Sequence, residues 1–153
     1  MDADRAAVRV EEATAVSSEL VAAIARLVGQ LSASAQPPSA DAVAAIVASP
    51  ASRLLLARER DGRVVGMLTI VLFPIPTGIR AWIEDVVVDQ DARGRGVGAL
   101  LTRAALELAV AHGARTVDLT SRPDREAANR LYARLGFEQR QTNVYRYAHR
   151  STS

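Results

Sequence analysis

The spacing of apolar positions divides the chain into a short series of elements. Val8 and Val10 alternate with Arg9 as in a strand. Beyond Ser17-Ser18 the apolar period lengthens, and Leu20, Ile24, Leu27 and Val28 fall on one face of a first helix over residues 19–28. Gly29 and the stretch 32–39, with Pro37-Pro38, are expected to break that helix before a second one over 42–48, which stops at Ser49-Pro50. Residues 54–58 read as a strand, Asp61-Gly62 as a hairpin turn and 64–73 as the antiparallel return. Pro74, Pro76 and Gly78 predict a loop, after which 80–88 forms the next strand. A helix over 99–111 follows, with Leu100, Leu101, Ala104, Ala105 and Leu108 on its apolar side and His112-Gly113 as its stop. A strand over 116–120, a helix over 124–135 closed by Gly136, and a hairpin of 137–141 with 144–147 around Thr142-Asn143 complete the pattern. The tail from Ala148 is expected to be loose.

The junction from Ile83 to Leu101 carries the most chemistry. A β-branched run ends in Asp89, a turn presents Arg93-Gly94-Arg95-Gly96-Val97-Gly98, and a helix starts at once. Glycines let backbone amides approach a ligand, and the helix start adds unpaired N–H groups and the positive end of its dipole. An anion fits such a junction. A nucleoside-triphosphate loop would need lysine and serine or threonine after the last glycine, whereas Ala99-Leu100 follow Gly98. A dinucleotide fingerprint would use Asp118, but the preceding hairpin strands do not suit a βαβ half. Backbone amides, more than the guanidinium groups of Arg93 and Arg95, are expected to bear the contact.

Composition removes several classes of function. The chain has 153 residues, is 49% hydrophobic and suits one compact domain over 1–153. All 19 basic residues are arginine, the formal net charge is only +2 and aromatics make up 4%, so no nucleic-acid face is expected. Without cysteine there is no disulfide, thiolate metal site or cysteine nucleophile, and His112 and His149 lack ligand spacing. The acidic opening MDADR is unlike a signal peptide and no apolar run spans a bilayer, which predicts a cytoplasmic protein without a membrane partner.

The R-x-x-G-x-G spacing after a strand resembles the coenzyme A pyrophosphate loop of the GNAT family of N-acetyltransferases. A second stretch supports it. Residues 124–137 resemble the family's N-x-x-A-x-x-L-Y-x-x-x-G-F motif at Ala128, Leu131, Tyr132, Gly136 and Phe137, although Arg125 stands where the motif has asparagine. The order of elements is also similar. The resemblance implies an α/β, three-layer (α+β) GNAT fold: a mixed, mostly antiparallel sheet of six to seven strands flanked by about four helices.

It also implies roles. The amides of Arg93, Gly94, Arg95, Gly96, Val97, Gly98 and Ala99 would wrap the pyrophosphate of acetyl-CoA, and Val86, Val87 and Val88 would pair with pantetheine as a further strand. Tyr132 would be the general acid that protonates the departing thiolate. Asn129, one turn before it, or Arg125 would replace the motif asparagine. The string I-E-D-V-V-V resembles the strand on which the family's candidate base lies. Glu84 shares parity there with Trp82, Val86 and Val88, and a β-bulge would reverse that parity and favour Asp85. Ion pairing of these carboxylates with Arg80 or Arg103 is the competing reading. No metal is implied. The expected activity is acetyl transfer from acetyl-CoA to a primary amine of a small molecule or peptide, in a ternary complex. A non-catalytic acyl-CoA-binding module is the alternative. Acceptor contacts would come from residues 30–42 and 73–80, and homodimers are frequent in the family.

Overall fold

The structure is a computed structural model that describes residues 7–150. The chain divides into two compact units, Met1–Thr120 and Ser121–Ser153.

In the first unit, strands β1 (Arg9–Glu12), β2 (Ser52–Arg58), β3 (Val64–Ile75), β4 (Gly78–Val88) and β5 (Ala114–Asp118) form one five-stranded sheet in sequence order. The first four pair antiparallel and β5 joins β4 in parallel. Helices α1 (Ser18–Leu31) and α2 (Ala40–Ala48) cover one face, where Leu20, Ile24, Leu27 and Val43 pack with Leu54, Leu56, Val64, Met67 and Val87. Helix α3 (Val97–Ala111) covers the other. Its approach depends on Gly66, where a Cβ would lie 3.1 Å from both Val97 and Leu101 side chains. No helix among the described residues is long and apolar enough to cross a membrane.

Local signals explain most boundaries. The hydroxyls of Ser17 and Ser39 accept hydrogen bonds from the amides of Leu20 and Ala42 and so cap α1 and α2. Several boundaries shift by a few residues, and two differences have a clear physical cause. Gly29 does not end α1, which continues to Leu31. The cost of about 1 kcal/mol for a helical glycine is offset by Val28 and Leu31 packing on the core. The expected loop at 73–80 is instead a hairpin. Pairing continues to Ile75↔Gly78, so only Pro76-Thr77 turn. Pro74 is tolerated because pairing of β2 with β3 reaches only Val71, and the lost N–H breaks no second ladder.

The second unit contains α4 (Glu126–Arg134). The expected final hairpin is absent among the described residues, so the sheet has five strands and not six or seven. A strand over 144–147 would put Tyr145 and Tyr147 on one face, but Val144, Tyr145 and Tyr147 are 70%, 88% and 91% exposed and pack on nothing. A hairpin that buries nothing has little to hold it. Residues 151–153 of the expected loose tail lie outside the described residues.

Candidate active site

Strand β4 loses its partner part-way along. Its parallel pairing with β5 ends at Trp82↔Asp118, so from Ile83 onward β4 has a strand on the β3 side only, among the described residues. The backbone edge of Val86, Val87 and Val88 is therefore open toward the β5 side, as an extended ligand arm would require.

On the β3 side the register jumps. Met67 pairs with Val87 and Thr69 with Glu84, so β4 has one more residue than β3 between these rungs. That residue is absorbed at Asp85, which has a φ of +52°, the only positive value at a non-glycine position among the described residues. This is a β-bulge. It reverses the side-chain alternation: Trp82 and Glu84 share the α1 face with Val87, not with Val86 and Val88 as uniform parity predicts. Because the extra residue follows Glu84, the bulge leaves Glu84 on the α1 face and sets Asp85 with Val86 opposite Leu68, so it does not exchange the two carboxylates, both of which are exposed.

The Glu84 carboxylate accepts a 2.7 Å hydrogen bond from the indole N–H of Trp82. It forms no ion pair among the described residues, and Arg80 is instead engaged by Asp118 at 2.7 Å. The ion-paired reading of Glu84 with Arg80 or Arg103 is thus not what the structure contains. Glu84 keeps a free oxygen on the uncovered end of the α1 face.

Beyond β4, a one-turn 3-10 segment (Gln90–Ala92) leads into the glycine turn. Gly94 and Gly96 both have φ of +77°, and a Cβ on either would meet no atom within 4 Å. Their need for glycine is conformational, since the left-handed region is costly for other residues. Helix α3 starts at Val97, two residues earlier than expected, with Gly96 as its cap and no side-chain cap. None of the amides from Arg93 to Ala99 donates to a protein acceptor among the described residues. Consecutive free amides at a helix start form an anion cradle.

The side chains around that cradle have separate tasks. Arg95 is paired with Glu59 at 2.8 Å. Arg93 is exposed and leans on the Val88 carbonyl at 3.4 Å. Val97 is buried against Gly66, so only its amide is available to a ligand.

In the second unit, Gly136 (φ +98°) ends α4. The amides of Gly136 and Phe137 donate to the carbonyls of Ala133 and Tyr132 at 3.1 and 3.0 Å. This is a Schellman motif, whose usual apolar contact is supplied by the Phe137 ring standing edge-on to Tyr132 at 5.7 Å. The spacing L-Y-x-x-x-G-F is therefore a device that orients the tyrosine. Tyr132 is buried, and burial pushes its phenol above the ordinary value, against the opposing charge of Arg125. Asn129 donates to the Arg122 carbonyl at 2.9 Å, and Arg125 occupies the N-cap position of α4. The Asn129 side-chain amide thus ties the preceding turn to the helix, leaving its oxygen as the group free to meet a ligand.

Compared with known proteins, residues 20–137 match the family model for the acetyltransferase (GNAT) family. The chain belongs to the GNAT family. It is 38% identical over 96 residues to a mycothiol acetyltransferase of Clavibacter michiganensis subsp. michiganensis, covering 62% of this chain and 30% of that protein. It is 37% identical over 71 residues to N-alpha-acetyltransferase 30 of Schizosaccharomyces pombe, covering 46% and 47%. The chain thus spans well under two thirds of the length of these curated relatives. A solved Trypanosoma brucei acetyltransferase matches with a TM-score of 0.76 at 23% identity, over 92% of this chain and 99% of that one, a likeness of fold.

Sequence reasoning missed the tasks of three residues in these two units. Trp82 gave no signal as a hydrogen-bond donor to Glu84. Phe137 matched a motif without its physical task being evident. Asp89 read as the mere end of a strand, yet it is 1% exposed and ionically paired.

Proposed function

We propose that this chain transfers an acetyl group from acetyl-CoA to a primary amine of a small molecule or peptide, with both substrates bound together. The run of unpaired amides from Arg93 to Ala99 carries this reading. Such a run suits a pyrophosphate, and the open β4 edge beside it suits an amide-bearing arm that continues away from it.

Acetyl-CoA supplies an activated thioester. The amides of Arg93, Gly94, Arg95, Gly96, Val97, Gly98 and Ala99 hold its pyrophosphate, and Val86, Val87 and Val88 pair with its pantetheine arm. The Asn129 oxygen is a further acceptor for that arm. An aliphatic amine, with a pKa near ~10.4 for a lysine-like group, arrives protonated at neutral pH and must lose a proton before it attacks. Glu84 takes that proton through water. A C–N bond forms as the C–S bond breaks, Tyr132 gives its proton to sulfur, and the second proton of the attacking nitrogen leaves through water to restore the phenol. Its raised pKa suits an acid that must hold its proton at neutral pH. Alignment of the two substrates supplies much of the rate.

The test is release of free coenzyme A thiol from acetyl-CoA across a panel of primary amines, with mass detection of the N-acetyl product. The reading expects product with at least one amine class and its loss in Glu84→Gln. Binding of acetyl-CoA with no turnover on any amine would favour the non-catalytic acyl-CoA-binding module.

A further inference from the structure

A charged side chain that touches no proposed substrate is buried at the base of the cradle. Asp89 follows β4 directly and is 1% exposed. One oxygen accepts from the Asp91 amide at 3.1 Å. The other accepts from Arg26 Nε at 3.2 Å and Arg63 Nη2 at 3.3 Å. Its own amide donates to the Val65 carbonyl, and its carbonyl accepts from Ala92, each at 2.8 Å. Helix α1 adds a second tie next door, where Gln30 accepts from the Gln90 amide at 2.9 Å. Burial alone would push the Asp89 carboxyl up, but the Asp91 amide, Arg26 and Arg63 outweigh it and hold the group below its ordinary value.

Removing a carboxylate from water is costly, and a buried ion pair often does no better than apolar side chains of the same volume. What the arrangement fixes is direction. Contacts from α1, from the start of β3 and from the chain's own next turn converge on one residue. Four positions later the run of free amides begins.

We propose that Asp89, clamped by Arg26 and Arg63, is the positioning residue of the coenzyme A loop. It sets the direction in which the amides from Arg93 to Ala99 are presented, so affinity for coenzyme A depends on a carboxylate outside the binding surface. The inference rests on the reading of that loop as a pyrophosphate cradle.

Coenzyme A is titrated calorimetrically into the full chain and into Asp89→Asn, Arg63→Gln and Arg53→Gln. The last removes a separate ion pair, that of Arg53 with Glu12. Steady-state kinetics are run on each. Asp89→Asn removes the charge from both ion pairs and Arg63→Gln removes only one of them, so coenzyme A is expected to bind about tenfold and about threefold more weakly, respectively. The kcat at saturating acetyl-CoA should stay within about twofold, and Arg53→Gln should match the parent. Arg63 is partly exposed, so its variant keeps the test decisive if Asp89→Asn does not fold. Unchanged coenzyme A affinity in Arg63→Gln, or an equal loss in Arg53→Gln, overturns the inference. A parent chain that binds no coenzyme A sinks the cradle reading itself, and the inference with it.

Discussion

The indole of Trp82 donates to the carboxylate of Glu84 at 2.7 Å, across one intervening residue of β4. Alternate residues of a strand share a face, and the bulge at Asp85 comes only after this pair, so both side chains stay on the α1 face. The bond holds one carboxylate oxygen and leaves the other for a water or an amine. Trp82→Phe keeps an aromatic, though smaller, side chain and removes the donor. We expect kcat to fall about three- to tenfold with the acetyl-CoA KM unchanged. Steady-state kinetics decide this, and an unchanged kcat would show that Glu84 needs no such orientation.

Gly96 tests the loop. Its φ is +77° and a Cβ there would clash with nothing, so Gly96→Ala should cost about 1–2 kcal/mol of backbone strain and no packing. Relief of that strain would rotate the amides that cap α3. The expected result is a modest drop in melting temperature with at least about tenfold weaker coenzyme A binding. A thermal melt and a titration on the same sample separate the two effects.

For Tyr132 the prediction concerns proton supply. Tyr132→Phe keeps the edge-on contact with Phe137 and deletes the hydroxyl. Turnover should fall about a hundredfold or more, while coenzyme A affinity stays near that of the parent. Because the phenol is raised above its ordinary 10.0, the parent should lose this acid only on the alkaline side of that value. A kcat–pH profile with an acid group lost well below 10 would argue against Tyr132.

Stability should report on Asp89 through pH. A carboxyl depressed in the folded chain stabilises it above the unfolded value and loses that contribution as pH falls through the folded value. With the ordinary value at 3.8 and the folded one below it, the parent should exceed Asp89→Asn in urea midpoint at neutral pH. The gap should narrow below about pH 4. A pH-independent gap would mean that packing, not charge, separates the two proteins.

Much of the molecule was legible in order and kind. The apolar face of α1, the Asp61-Gly62 turn, the glycine run and the stop at His112-Gly113 are local devices, and each stands where the pattern predicts. Gly29 misled because its cost is local whereas the packing of Leu31 that offsets it is not. The extension of β3 and β4 to a two-residue turn was hidden by Pro74 and Pro76, since a strand's tolerance of proline depends on which neighbour it lacks.

The sequence by itself determined the glycine junction and the tyrosine helix, because both depend on short spacings whose physics is contained in a few residues. A positive φ needs glycine, and a Schellman turn needs glycine followed by an apolar residue. Only the tertiary structure decided which way Glu84 faces, what Trp82 does and why Asp89 is charged. Parity along β4 depends on its register with β3, which a bulge shifts by one residue. The pairing of Asp89 depends on Arg26 and Arg63, which lie 63 and 26 residues away in the chain and meet it only after the sheet and α1 have assembled.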